Sequence, residues 1–172
     1  MWRHYFGPGV HIIGVDIEEA CRAYNTDDVT IHIGDQANRE FWDGLDLPPL
    51  DIVIDDGGHE AHQQIPTLEA LLPKLNPGGV YLCEDVAGTE NPFHSYVSGL
   101  SRSLNDFGTK IDNYRRVPHP FQQTVDSIHM YPYVTVIERR DHALPELAAE
   151  RHGTVWQPFY QPGETPDVSL VD

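Results

Sequence analysis

The stretch DIVIDDGGHEAHQQIPTLEALLPKLNPGGVYLCEDV, residues 51–86, reads as strand, acidic turn, helix, Pro-Gly-Gly turn, strand and second acidic turn. Asp51 to Ile54 is rich in β-branched residues and predicts a buried parallel strand. Ile65, Leu68, Leu72 and Leu75 follow at close to helical spacing. Pro66 fits the first turn of that helix, where a missing N–H does least harm, and Pro73 kinks or ends it. Asn76-Pro77-Gly78-Gly79 is a stop signal, and Val80 to Cys83 enters as the next buried strand. The unit is one βαβ crossover. Its first strand ends in Asp55 and Asp56, its second in Glu84 and Asp85. In open α/β sheets that carboxyl edge is where ligands bind.

Upstream, strand and helix alternate from residue 10, the pattern of a parallel, doubly wound sheet. Val10 to Val15 predicts a buried strand with Asp16 at its end, and Glu18 to Tyr24 a short helix. Val29 to Ile33 is the next strand, followed by Gly34-Asp35-Gln36 and a weak helix from Asn38 through Phe41 and Trp42. Residues 1–9 read as the tail of a helix, with Trp2, Tyr5 and Phe6 on one face and Gly7-Pro8-Gly9 ending it. Downstream the pattern loosens. Tyr96 to Phe107 predicts a helix with Tyr96, Leu100, Leu104 and Phe107 on one face. Residues 108–124, with Arg115, Arg116 and His119, read as a long surface loop. Val125 to Met130 and Tyr133 to Glu138 are joined so tightly that they must pair antiparallel. Leu144 to Glu150 admits a short helix inside a Pro-rich acidic extension, residues 141–172, expected to be partly disordered.

The 172 residues, 40% hydrophobic and 10% aromatic, suffice for one domain with a substantial core. A net charge of −16 argues against nucleic acid and anionic membranes as partners, since their phosphates would be repelled. No apolar run approaches the roughly 20 residues of a membrane span, and no secretory leader is visible at Met1 to Phe6. Two cysteines, Cys21 and Cys83, give no disulfide framework, so a reducing cytoplasm is expected.

Asp56, Glu84 and Asp85 end strands that a right-handed crossover makes neighbours. Three converging carboxylates repel unless a cation or protons neutralise them. All-oxygen ligation suits Mg²⁺ first, then Ca²⁺ or Mn²⁺. Successive strand residues point to opposite sides, so Glu84 and Asp85 both reach one ion only if the strand has already broken there. His59, on the same turn as Asp56, is a residue able to act as a neutral base near pH 7. The bland alternative is that Asp56 and His59 merely cap the helix, and for His59 a structural or solvent-exposed role stands beside the catalytic one. Asp16, at a strand end before a helix, is placed like the acids that hold ribose hydroxyls, and Asp35-Gln36 would lie near an adenine.

These residues, in this order, resemble class I S-adenosylmethionine-dependent methyltransferases. The likeness is to the branch of metal-dependent macrolide-sugar O-methyltransferases of the mycinamicin type, with proteins labelled cephalosporin hydroxylase as relatives. IIGVDI, GDQ, IDDGGH, LNPGGVYLCEDV, SIHMY and VTVIER carry it, across residues 2–140. The resemblance implies a Rossmann-like, doubly wound, mostly parallel sheet with an antiparallel C-terminal strand. It implies Asp56 as a metal ligand, His59 as the catalytic base, and Glu84 and Asp85 completing the metal site. Asp16, Asp35, Gln36 and Asp55 become the cosubstrate-binding residues. S-adenosylmethionine and Mg²⁺ are the implied cofactors, and a hydroxyl of a sugar or natural product the acceptor; a homo-oligomer is compatible with it.

The family begins with a strand and a glycine-rich loop that have no counterpart before Trp2. The sheet is therefore expected to lack a central member, between the strands near Val10 and Asp51, and residues 1–140 to be an incomplete domain. Either the gene starts further upstream, or the chain is a remnant with impaired cosubstrate binding and an aggregation-prone strand edge. Two rivals to the O-methyltransferase follow: an impaired fragment serving as an interaction module, and Mg²⁺-dependent phosphoryl chemistry. The latter would want a lysine near the site, and neither Lys74 nor Lys110 ends a strand.

Overall fold

The computed structural model describes residues 2–112 and 115–144, and the backbone of Leu147–Ala148. In chain order the elements are α1 (Trp2–Phe6), β1 (Ile12–Asp16), a 3-10 turn (Glu19–Tyr24), β2 (Val29–Ile33), α2 (Arg39–Gly44), β3 (Leu50–Asp55) and α3 (Ala61–Leu71). A second 3-10 turn (Leu72–Lys74) leads to β4 (Leu75–Cys83), α4 (Pro92–Leu104), β5 (Thr109–Lys110), β6 (Arg115–Val117), α5 (Pro120–Thr124), β7 (Val125–Tyr131), β8 (Val134–Arg139) and β9 (Leu147–Ala148). No helix among the described residues is long and apolar enough to cross a membrane.

The largest sheet runs β3-β4-β8-β7. β3 and β4 are parallel, in register from Ile52 opposite Val80 to Asp55 opposite Cys83. β8 adds to β4 antiparallel, and β7 to β8 likewise, as the short Tyr131-Pro132 connection requires. The expected combination of parallel strands with an antiparallel C-terminal end is thus present. β1 and β2 pair in parallel as a ladder of their own, and among the described residues no strand pairing joins it to β3.

Hydrophobic burial accounts for the packing of the large sheet. Leu68 and Leu71 of α3 and Phe93 and Val97 of α4 close over Val53, Tyr81, Cys83 and Ile137. The opposite face of β3 is uncovered, with Ile52 48% and Ile54 41% exposed. The buried β3 expected from its β-branched run is therefore buried on alternate residues only, Val53 and Asp55. β1 and β2 are likewise half-buried throughout rather than fully buried.

Several boundaries move for local reasons. α3 begins at Ala61, five residues before Pro66, because the Gln63 side chain accepts the Glu60 N–H at 3.3 Å and caps the first turn. Pro66 therefore lies inside the helix and not in its first turn. β4 starts at Leu75, pairs with Leu50, and carries Asn76 to Gly79 as an irregularity in the ladder, with Gly78 at φ 77°. α4 starts at Pro92, where the Asn91 side chain accepts the Phe93 N–H, and stops at Leu104. Phe107, expected on its apolar face, is 77% exposed and lies under the Arg116 guanidinium at 5.3 Å. The expected loop over 108–124 holds β5, β6 and α5, and Leu147–Ala148 pairs with Arg115–Arg116 as a strand where a helix was expected. The rest of the expected disordered extension, residues 145–146 and 149–172, lies outside the described residues.

One buried polar network ties the C-terminal end of β3 to its neighbours. Asp55, only 5% exposed, accepts the Tyr81 hydroxyl at 2.9 Å and the Gln36 amide at 3.0 Å. Burial pushes the Asp55 carboxyl up, against the opposing pull of the Tyr81, Gln36 and Gly57 donors. Burial likewise raises the Tyr81 phenol and the Cys83 thiol, so both are neutral.

A raised native pKa means that the fold favours protonated Asp55. Its contribution is complete in acid and is lost as pH rises through that pKa. Asp55→Asn should therefore gain stability relative to wild type as pH rises above the ordinary carboxylate range of about 4, read by urea unfolding at a series of pH values. A pH-independent difference would contradict the burial argument. For the core, Phe93→Ala should cost about 3–5 kcal/mol. Phe107→Ala should cost less than about 1 kcal/mol, its ring being outside the core.

Candidate active site at the carboxyl edge

The β3–β4 register sets the site. Asp56 is the first residue past β3, and the Glu84 N–H donates to the Asp55 carbonyl at 2.9 Å, carrying the ladder one step beyond Cys83. The chain then turns away. Asp85 adopts φ 52°, and the Val86 N–H donates to the Tyr133 carbonyl at 2.9 Å, anchoring the turn on the β7–β8 hairpin. On the other turn His59 has φ 57°. A left-handed backbone costs a non-glycine residue about 1–3 kcal/mol and persists only where the surroundings enforce it. All three such residues among those described, His59, Asp85 and Tyr133, lie at this one edge.

The result is a cluster. One ligand atom each from Asp56, His59 and Asp85 lie within 4.8 Å of one another. The His59 Nε2 is 3.8 Å from an Asp85 carboxylate oxygen, and both side chains remain open to solvent. The two carboxylates fit a divalent cation, with positions left over for water or substrate oxygen, and the imidazole stands beside them within reach of such an oxygen. Glu84 stands outside this group. The physical reason is the alternation of extended residues: the break in β4 turns one member of the Glu84-Asp85 pair toward Asp56, not both.

The two glycines between Asp56 and His59 are explained by two glutamines. A Cβ on Gly57 would lie 2.0 Å from the Gln36 Oε1, and one on Gly58 would lie 2.1 Å from the Gln63 amide. Gln36 Nε2 donates to Asp55 and, at 3.2 Å, to Thr67 Oγ1, while its Oε1 accepts the Gly58 N–H at 2.7 Å. The Trp42 indole N–H in turn donates to the Gln36 carbonyl at 2.8 Å. Behind the second turn, Gln64 is 1% exposed, with its Nε2 at 3.5 Å from the Glu84 carbonyl. Its Oε1 has no hydrogen-bond partner among the described residues.

Asp16 is the last residue of β1, and Asp35 follows the end of the neighbouring strand β2. Asp16 accepts the Glu18 N–H at 2.8 Å, and this bond, aided by the Cys21 thiol, holds its carboxyl below the usual range. Asp35 accepts the Ala37 N–H at 2.8 Å and is exposed. Asp55 and Gln36, expected at the cosubstrate, are turned inward. Both Asp55 oxygens already accept protein donors in a buried pocket, and both Gln36 amide hydrogens are committed. The roles of Gln36, Gln63 and Gln64 escaped sequence reading, since a glutamine in a loop or a first helical turn carries no signature of its partner. Of the other histidines, His119 pairs with Asp106 at 2.9 Å and His129 with Glu138 at 3.3 Å, away from the cluster.

Residues 4–86 match the family model described as a methyltransferase domain. The chain is 39% identical over 155 residues to the mycinamicin VI 2''-O-methyltransferase of Micromonospora griseorubida, covering 81% of this chain and 38% of that protein. It is 30% identical over 155 residues to the 8-demethyl-8-alpha-L-rhamnosyl tetracenomycin-C 2'-O-methyltransferase of Streptomyces olivaceus, covering 81% of this chain and 40% of the relative. Among solved structures, the MycE methyltransferase of the mycinamycin biosynthetic pathway, in complex with Mg and SAH, superimposes with a TM-score of 0.66 at 26% identity. That match spans 81% of this chain and 39% of the other. The chain thus spans about two fifths of the length of the relatives it matches. Within that span the chain is similar to the methyltransferase-domain family and to the 2''-O- and 2'-O-methyltransferases named above.

Proposed function

We propose that the chain carries the metal and base half of an S-adenosylmethionine-dependent, Mg²⁺-dependent O-methyltransferase acting on a sugar hydroxyl of a natural product. The observation that carries this reading is the meeting of Asp56, His59 and Asp85 at the carboxyl edge of β3 and β4. The relatives' names supply the acceptor class: a 2''-hydroxyl in mycinamicin VI, a rhamnosyl 2'-hydroxyl in the tetracenomycin.

When bound, Mg²⁺ would make a coordinated hydroxyl more acidic, and S-adenosylmethionine would supply an electrophilic methyl group. Asp56 and Asp85 would hold the ion through their carboxylates. His59 takes the acceptor proton at Nε2, and the Asp85 carboxylate beside it stabilises the imidazolium that forms. Asp16 accepts from ribose hydroxyls, and Asp35 lies by the adenine. Asp55 supports the turn from beneath, and Glu84 lies outside the three-residue cluster.

The test is methyl transfer from S-adenosylmethionine to a deoxysugar-bearing macrolide, with Mg²⁺ and with EDTA. Chelation should abolish turnover, and added Mg²⁺ or Mn²⁺ should restore it. His59→Ala should lower kcat by about 10²- to 10⁴-fold. Turnover that persists in EDTA would remove Asp56 and Asp85 from the assignment, and full activity in His59→Ala would remove the base.

A further inference from the structure

The loop after β2 reaches across to the turn after β3 through a single side chain, and the hydrogen-bond pattern of that side chain is closed on the protein. Gln36 Nε2 gives its two hydrogens to Asp55 and Thr67, and its Oε1 takes the Gly58 N–H. Its partners therefore sit on the end of β3, on α3 and on the turn between them. Gly58 immediately precedes His59, and Asp55 immediately precedes Asp56. The space that a Cβ on Gly57 would need is filled by the same amide. Gln36 is itself fixed at its backbone by the Trp42 indole.

We propose that Gln36 is a positioning residue for the metal site: its amide clamps the Asp56–His59 turn in the conformation that brings the Asp56 carboxylate and the His59 imidazole to Asp85. This rests on the metal reading of the preceding subsection. The clamp holds both ends of the turn at once, the Asp55 side through Nε2 and the Gly58 side through Oε1. His59 is thereby kept at φ 57°, a conformation a free turn would leave. Partners behind metal ligands commonly set affinity in this way, and their loss weakens binding by about 10- to 100-fold. Gly57 is a glycine for the same reason. Its φ is not left-handed, so the obstacle to a side chain there is the Gln36 amide and not the backbone.

The test uses Mn²⁺ as the probe, its affinity measured on the full chain by electron paramagnetic resonance, together with hydrogen exchange of the Gly58 amide in metal-free protein. Gln36→Ala should weaken Mn²⁺ by about 10- to 100-fold and speed Gly58 exchange by a similar factor. Gly57→Ala should do the same by displacing the amide. In the Gln36→Ala background, where the obstructing atoms are gone, Gly57→Ala should add less than about twofold. Val125→Ala, a core truncation in β7 at the end of the sheet opposite the turn, should lower stability but leave Mn²⁺ affinity within about twofold. The proposal is overturned if Gln36→Ala leaves both readouts unchanged, if the Gly57 effect is independent of residue 36, or if Val125→Ala weakens Mn²⁺ equally. Should wild type take up no Mn²⁺, the metal reading fails on its own. The clamp is then decided by Gly58 exchange: unchanged in Gln36→Ala, it is refuted.

Discussion

The parallel pairing of β3 with β4 is the constraint on which the rest depends. Asp55 opposite Cys83 leaves each strand with an acid as its next residue outside the ladder. A one-residue slip would reverse the faces of Tyr81 and Cys83, expose them, and drive their solvated neighbours inward. The core therefore fixes the register, and the register fixes the site. Tyr81 and Cys83 are fully buried because α3 and α4 cover them, and the same packing seats Tyr81 against Asp55.

Around that ladder the chain accepts local costs at one place. Asp55 is an acid in a buried setting, Gln64 keeps an unmatched carbonyl oxygen, and His59, Asp85 and Tyr133 hold left-handed backbones. Each is unfavourable by roughly 1–3 kcal/mol. They occur together at the carboxyl edge, while the ordinary helix caps and core contacts elsewhere follow local rules. Strain gathered at a single edge is what a preorganised ligand site requires, since groups must be held ready before the ligand arrives.

The βαβ unit was legible in the sequence because its local signals agree: the β-branched run, the Pro-Gly-Gly stop and the second apolar run each point the same way. Asp56 and His59 were legible as neighbours of the Glu84-Asp85 turn, since a crossover places consecutive parallel strands side by side. What stayed hidden has specific physical causes. Pro66 masked the true start of α3, because a capping interaction from Gln63 outweighed the cost of an internal proline. Phe107 matched the helical spacing of α4 but fell past its end, where solvent and Arg116 receive it. The alternation of Glu84 and Asp85 could be stated but not resolved, since the choice depends on where β4 breaks. The glutamine contacts join residues 19 to 31 positions apart, beyond the reach of any local pattern.

The division between the β1–β2 ladder and the larger sheet has a consequence for cooperativity. The small ladder is half-buried at every position and shares no strand hydrogen bonds with β3 among the described residues. Elements with so little common interface open as separate units, at lower free energy than the core. Because the loop carrying Gln36 leaves from β2, each transient opening of that ladder would also release the turn bearing His59. Occupancy of the site by a ligand would in turn hold the ladder closed, so a bound ligand would stabilise a weakly anchored part of the fold along with the site itself.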